Sequence, residues 1–212
     1  VLGSRGLGDV YKRQILYCGI NFVKSPHKIN ETQSTIDPLI LVNYKNSLDD
    51  SEINLVNFNG FQVCDIIYND LIDMYNAAKK DGITLKINNT YRTAKDQREM
   101  FDSKRKSYLD QGYSYEGATS KAEETVQLPG FSEHQTGLAI DFSNEGHYEE
   151  NEQMWEWLKT NASKYGFILR YPSGKEDITK ISYEPWHYRY VGKKAAEEIT
   201  NQNITLEEYL KG

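Results

Sequence analysis

Two histidines and two carboxylates stand in a pattern that could hold a metal ion and use it. His134 is followed, after six intervening residues, by Asp141; much later comes Glu184-Pro185-Trp186-His187. Two imidazole nitrogens and one carboxylate oxygen suit zinc, and they leave a fourth position for water, as hydrolytic zinc sites require. Glu184 is then the candidate base, able to take a proton from metal-acidified water and pass it to a departing amine. The chain has four histidines, and two of them fall in these segments. The other two, His27 and His147, lie in polar or acidic text and read as exposed side chains, not ligands. The competing reading makes His134 and His187 ordinary structural histidines and Glu184 a surface carboxylate. Pro185 fixes the backbone beside Glu184, although proline at the start of a strand is commonplace.

The flanking text favours the metal. Ser132-Glu133-His134-Gln135-Thr136-Gly137-Leu138-Ala139-Ile140-Asp141 and Glu184-Pro185-Trp186-His187-Tyr188-Arg189-Tyr190-Val191-Gly192 occur in that order. Together they resemble the zinc D-alanyl-D-alanine carboxypeptidases of the vancomycin-resistance (VanY) type and their L,D-carboxypeptidase relatives. The resemblance runs from about Leu41 to about Glu197, roughly three quarters of the chain. It implies one zinc ion held by His134, Asp141 and His187, with Glu184 as base. It implies a hedgehog/DD-peptidase-like fold and, as substrate, the stem peptide of peptidoglycan.

A carboxypeptidase must bind a terminal carboxylate, and a guanidinium does so with two parallel hydrogen bonds. Tyr91-Arg92-Thr93-x3-Gln97 resembles the family's Tyr-Arg-Ser-x3-Gln segment, which implies substrate contacts for Arg92 and Gln97. Arg92 could instead polarise the scissile carbonyl as the oxyanion forms, or be a structural ion-pair partner. Thr93 replaces the usual serine, and Asn89-Thr90 replace a small Ser-Gly pair, so the pocket could differ in shape. Ser132 matches a family position whose hydroxyl meets the peptide. Trp186 is expected to pack beside the metal as a pocket wall, with Trp155 in a helix core and Trp157 on a helix surface.

These side chains need a scaffold. Ile67, Leu71, Met74, Tyr75 and Ala78 recur at helical spacing and predict a helix over Cys64–Lys80, stopped by Gly82. Cys64 then reads as a small buried hydrophobe opening that helix. Ile83–Ile87 alternates as a half-buried strand that delivers Arg92 just beyond its end. Ala94 to about Leu109 is charged and helix-prone. Gln111–Gln127 is polar and without periodicity, and reads as a loop or lid. Leu138–Phe142 predicts a strand carrying Asp141, with His134 on the loop before it. Met154, Trp155, Leu158, Ala162 and Tyr165 mark a second amphipathic helix, ended by Gly166. Phe167–Leu169 and Trp186–Val191 read as strands; alternation sets His187, Arg189 and Val191 on one face of the latter. Thr205-x-x-Glu208 is a capping box for a short last helix. The pattern predicts a single α+β domain with a mostly antiparallel sheet flanked by helices.

At 212 residues one domain is expected, with 38% hydrophobic content and a polar surface. The sixteen tyrosines suit a groove for a polar polymer, or ordinary half-buried positions. A net charge of −6 gives no basic footprint for nucleic acid. Cys18 and Cys64 lie in unlike contexts and suggest no disulfide framework. Residues 1–14 read as adapter-derived sequence, and 15–38 as the stub of an anchor followed by a polar linker. Within that stub Ile15–Val23 is too short to span a bilayer, and Cys18 fits a lipidation site poorly. The catalytic domain is expected over 39–212, acting as a monomer on the outer face of a bacterial cell, secreted or tethered to its membrane. Two alternatives stand beside the carboxypeptidase reading. One is an endopeptidase cutting L-alanyl-D-glutamate or a crosslink; the other is a wall-binding module that keeps the metal without catalysis, against which an intact Glu184 argues.

Overall fold

The structure is a computed structural model and describes residues 33–48 and 52–212. The expected adapter segment, the anchor stub with Cys18, and His27 lie outside the described residues. No helix among the described residues is long and apolar enough to cross a membrane.

The chain opens with a hairpin of β1 (Leu55–Phe58) and β2 (Phe61–Cys64). Its two-residue turn is Asn59-Gly60, with φ of 53° and 90°. Both residues have the positive φ that a type I′ turn demands, which is why Asn-Gly closes hairpins. Cys64 therefore ends a strand and does not begin a helix. A 3-10 turn (Asp65–Ile67) intervenes, and α1 runs over Tyr68–Lys80. Its buried face is Leu71, Met74 and Ala78, as the spacing predicts.

Strand β3 is Ile87–Asn89, later and shorter than expected. Leu85 is buried, but ladder pairing begins only at Ile87. Helix α2 (Ala94–Asp110) starts at a capping box of Thr93 and Asp96. Residues expected to form a loop contain α3 (Tyr115–Glu123), capped by the Ser114 hydroxyl. This helix buries only Ala118 and Ala122. Two small side chains against α2 leave almost no periodic signal, which explains the miss. Strand β4 (Ala139–Phe142), α4 (Tyr148–Asn161), β5 (Phe167–Leu169), α5 (Glu176–Thr179), β6 (His187–Tyr190), α6 (Lys193–Gln202) and α7 (Leu206–Tyr209) complete the chain. The expected capping box at Thr205 and Glu208 opens α7.

The main sheet has the order β3-β4-β6-β5, and every neighbouring pair is antiparallel. One face, with Ile140, Phe142, Phe167, Tyr188 and Tyr190, packs with Leu71 and Met74 of α1 and Met154 and Leu158 of α4. Burying each such aliphatic side chain is worth roughly 1.5–3 kcal/mol. A smaller cluster joins Ile168 and Val191 to Ala195, Ala196 and Ile199 of α6 and to Leu206 of α7. The domain is thus α+β with an antiparallel sheet, and the faces divide as the alternation predicts.

Candidate metal centre and active site

Strand register creates the centre. Asp141 and His187 are paired directly across β4 and β6, so their side chains rise from the same face within about 5 Å of one another. Pairing of Ile140 with Tyr188 one residue along sends those two into the core on the opposite face. His134 arrives from the 3-10 turn Glu133–Thr136, which ends at Gly137. Gly137 has φ +67°, and a Cβ there would lie 2.8 Å from the backbone nitrogen of Cys64. That nitrogen donates to the Gly137 carbonyl at 2.9 Å. Only glycine permits this turn and this approach together.

His134, Asp141 and His187 form a buried set whose ligand atoms all lie within 4.8 Å of each other. His134 Nε2 is 3.3 Å from Asp141 Oδ2, and His187 Nδ1 is 3.0 Å from Asp141 Oδ1. A tetrahedral site with bonds of about 2.0–2.2 Å separates its ligand atoms by roughly 3.3–3.6 Å. Asp141 Oδ1 has no hydrogen-bond partner among the described residues despite its nearness to His187. The donor set and its orphaned oxygen fit a zinc ion. The His134 ring is oriented from behind, where Nδ1 meets the Thr90 carbonyl at 2.6 Å, leaving Nε2 for the metal. Burial and the neighbouring Arg92 keep His134 neutral, its pKa pushed down to about 4. Burial works against protonating His187, yet Asp141 and Glu133 raise it to about 9.

Glu184 and His187 are tied by a reverse turn, His187 N donating to Glu184 O at 3.1 Å, with Pro185 at its second position. The turn folds the Glu184 carboxylate to 3.6 Å from His187 Nδ1, with its side chain only 13% exposed. Burial and the charge of Asp141 raise its pKa to about 7, although His187 and Arg92 oppose them. A carboxylate near neutrality at the mouth of a metal site is suited to proton transfer.

Arg92 follows β3, its backbone nitrogen donating to the His134 carbonyl at 3.1 Å. Its Nη2 lies 3.8 Å from Asp141 Oδ2. Its Nη1 donates to Gln97 Oε1 at 2.6 Å, and Gln97 Nε2 donates to the Gln127 carbonyl at 2.5 Å. Gln97 is fully buried. Both ends of its amide are hydrogen-bonded within the protein, so it braces Arg92. The Thr93 hydroxyl is likewise engaged, accepting from Asp96 N and donating to Asp96 Oδ2. A serine or a threonine serves that cap equally well.

Comparison with known proteins gives the centre a lineage. A family model described as VanY, D-alanyl-D-alanine carboxypeptidase, matches residues 61–193, which include every site residue above. The chain belongs to the VanY family. A D-alanyl-D-alanine carboxypeptidase of Enterococcus faecalis is 42% identical over 175 residues, covering 81% of this chain and 65% of that protein. A solved structure of VanYB in complex with D-alanine-D-alanine is 41% identical, with a TM-score of 0.79, covering 82% of this chain and 97% of that one. A vancomycin-resistance D,D-pentapeptidase VanY variant in complex with Zn(II) is also 41% identical, with a TM-score of 0.77, covering 82% of this chain and 98% of that one. The chain spans 65% and 50% of the lengths of the first curated relatives it matches.

Within this VanY-family chain the other expected residues fall as follows. Ser132 is buried just before the turn that carries His134. Trp186 packs on Trp155, ring centroids 6.1 Å apart, and Trp155 Nε1 donates to the Phe142 carbonyl. Trp157, expected on a helix surface, is half-buried against the core and donates to Asp81. His147 is exposed and paired with Glu150, away from the centre. The sequence reading passed over Glu133, Arg170 and Glu207. All three are buried, and Arg170 and Arg189 both reach Glu133 Oε1, at 2.7 and 2.8 Å. Burial opposes ionising Glu133, but the two guanidiniums hold its carboxyl well below the usual range. Arg170 also grips both oxygens of Glu207 from α7, at 2.8 and 2.6 Å. Nothing local in the sequence links positions so far apart. The one available cue was alternation, which put Arg189 on the His187 face.

Proposed function

We propose that this chain is a zinc-dependent carboxypeptidase that removes the C-terminal D-alanine from peptidoglycan stem peptides. The observation that carries this reading is the short reach from Arg92 to the ligand set, 3.8 Å from Nη2 to Asp141 Oδ2. Successive α-carbons lie about 3.8 Å apart, so a terminal carboxylate gripped by Arg92 leaves the preceding carbonyl beside His134, Asp141 and His187. That proximity favours removal of a single residue from the chain end. Zinc, when bound, supplies a Lewis acid that acidifies water and polarises a carbonyl.

The protein's own groups do the rest. Arg92, held by Gln97, fixes the free end of the peptide. Glu184 accepts a proton from the attacking water and returns it to the leaving amine. In this reading Ser132, next to the turn bearing His134, contacts the peptide backbone. Activity outside the membrane, on a tether and as a monomer, belongs to the same reading, because its substrate is the cell wall. The family description and the D-alanine-D-alanine complex of VanYB favour a D,D over an L,D preference. Mass spectrometry of purified tetra- and pentapeptide stems after incubation with the zinc-loaded protein tests this. Loss of one D-alanine from the pentapeptide is expected; trimming of the tetrapeptide alone would assign L,D specificity, and internal cleavage would make it an endopeptidase.

A further inference from the structure

Resting on the zinc reading of this site, we infer that Glu133 is a positioning residue that sets which nitrogen of His187 carries the proton and which faces the metal. The His187 ring lies between two carboxylate systems. Nδ1 looks toward Asp141 Oδ1 and Glu184 Oε2, at 3.0 and 3.6 Å. Nε2 looks the other way, 3.6 Å from Glu133 Oε2. Those two atoms, Nε2 and Oε2, are both buried and both lack a hydrogen-bond partner among the described residues. They face each other across a gap that a shift of about half an ångström would close to hydrogen-bond length.

Glu133 is aimed by its surroundings. Arg170 Nε and Arg189 Nη1 both donate to Oε1, at 2.7 and 2.8 Å, which leaves Oε2 for the imidazole. Each arginine is itself anchored at its far side, Arg170 by Glu207 and Arg189 by the carbonyls of Pro38 and Ile40. Tyr171 packs against the His187 ring, 4.8 Å between centroids and tilted by 46°. A neutral imidazole has one proton, and it stays on the nitrogen with the better acceptor. With zinc drawing Asp141 to itself on the Nδ1 side, the carboxylate behind Nε2 is the acceptor left for the proton, and the Nδ1 lone pair faces the ligand point. His134 is set the same way by the Thr90 carbonyl. A carboxylate behind a ligating histidine also makes it a stronger donor to the metal, which a neutral carbonyl does less well.

A purely structural Glu133 would only neutralise two buried arginines, and the test separates the two roles. In the zinc-loaded wild-type protein, nitrogen-15 NMR of ring-labelled histidine should show His187 protonated at Nε2, with a downfield, slowly exchanging proton. Glu133→Gln keeps the shape but can present an amide N–H to Nε2, which favours the wrong tautomer. It should weaken zinc binding by about 10–100-fold, measured by competition with a chromophoric chelator at a temperature where the variant is folded. The visible spectrum of the cobalt(II)-substituted variant should also change. Lower thermal stability with unchanged zinc affinity and cobalt spectrum would overturn the assignment. Should the variant fail to fold, a His187 proton on Nδ1 in the wild-type protein, or a fast-exchanging one on Nε2, overturns it equally. Zinc uptake without peptide cleavage would leave the Glu133 assignment standing and sink the peptidase reading. A wild-type protein that takes up no zinc would overturn both.

Discussion

Asp141 and His187 face each other across β4 and β6, with Oδ1 and Nδ1 3.0 Å apart. Two ligands of one ion are thereby fixed by strand register, which the apolar pairs on the other face of the sheet enforce. A slip of one residue would turn Asp141 and His187 into the core and expose Ile140 and Tyr188. The hydrophobic effect that stabilises the sheet also aims the metal ligands. Only His134 needs a separate device, the glycine-terminated turn.

The first prediction concerns the metal. Elemental analysis should find one zinc per chain, and a chelator should abolish activity that added zinc restores. His134→Ala, Asp141→Ala and His187→Ala should each lower occupancy and turnover together. Zinc at 100 times its dissociation constant should stabilise the folded state by about 2.7 kcal/mol, read as a higher melting temperature. Full activity in protein stripped of metal would refute the assignment.

The second prediction separates the base from the ligands. Glu184→Gln should keep zinc while losing several orders of magnitude in kcat, because the proton acceptor is gone and the ligands are untouched. The same change should stabilise the metal-free protein. Glu184 has a folded pKa of about 7 against an ordinary 4.5, so it costs stability as pH rises through that window and costs nothing below it. The gain from Glu184→Gln should reach about 3 kcal/mol at pH 8 and vanish near pH 4. Urea unfolding of the metal-free pair at the two pH values checks this, and a gain independent of pH would place Glu184 in contact with solvent.

Much of this was legible in the sequence because the signals are short-range. The ligand segments, the α1 face, the Thr205 cap and the alternation in β6 each depend on residues a few positions apart. The Asn59-Gly60 hairpin was passed over, although its turn type follows from the two residues at its centre, and Cys64 beyond it read as the start of α1. Helix α3 was hidden because alanines give little contrast against a polar background. The role of Gln97 and the Glu133–Arg170–Glu207 chain could not be read, since each depends on which buried polar atoms meet after folding. Sequence text names candidate chemistry but does not say whether a given amide is already occupied.

The third prediction tests that buried chain. Glu207→Gln removes a charge facing Arg170 in a site closed to water. Breaking one partner of such a pair costs about 3–5 kcal/mol. Asp110→Asn, which breaks the exposed pair with Lys106 on α2, should cost under about 1 kcal/mol. Denaturant unfolding of both variants should show this difference in midpoint, and equal effects would mean that the buried network carries no special weight.

The last prediction asks what Arg92 reads. If it grips a terminal carboxylate, amidating the C-terminus of the stem peptide should weaken cleavage strongly. Loss of a charge-assisted bidentate contact costs on the order of 1.5–3 kcal/mol, roughly one to two powers of ten in kcat/KM. Arg92→Lys should be impaired as well, because an ammonium cannot reproduce the fork and cannot serve Gln97 and a carboxylate with the same geometry. Gln97→Ala should produce a milder version of the same defect, with KM rising more than kcat falls, since the guanidinium stays but loses its 2.6 Å anchor. Equal cleavage of free-acid and amidated peptides would mean that the chain end is not read, and an endopeptidase would then be preferred. If Arg92 serves the oxyanion instead, its substitution slows both peptides alike while amidation matters little. Measuring both peptides with both variants therefore assigns the guanidinium to one role or the other.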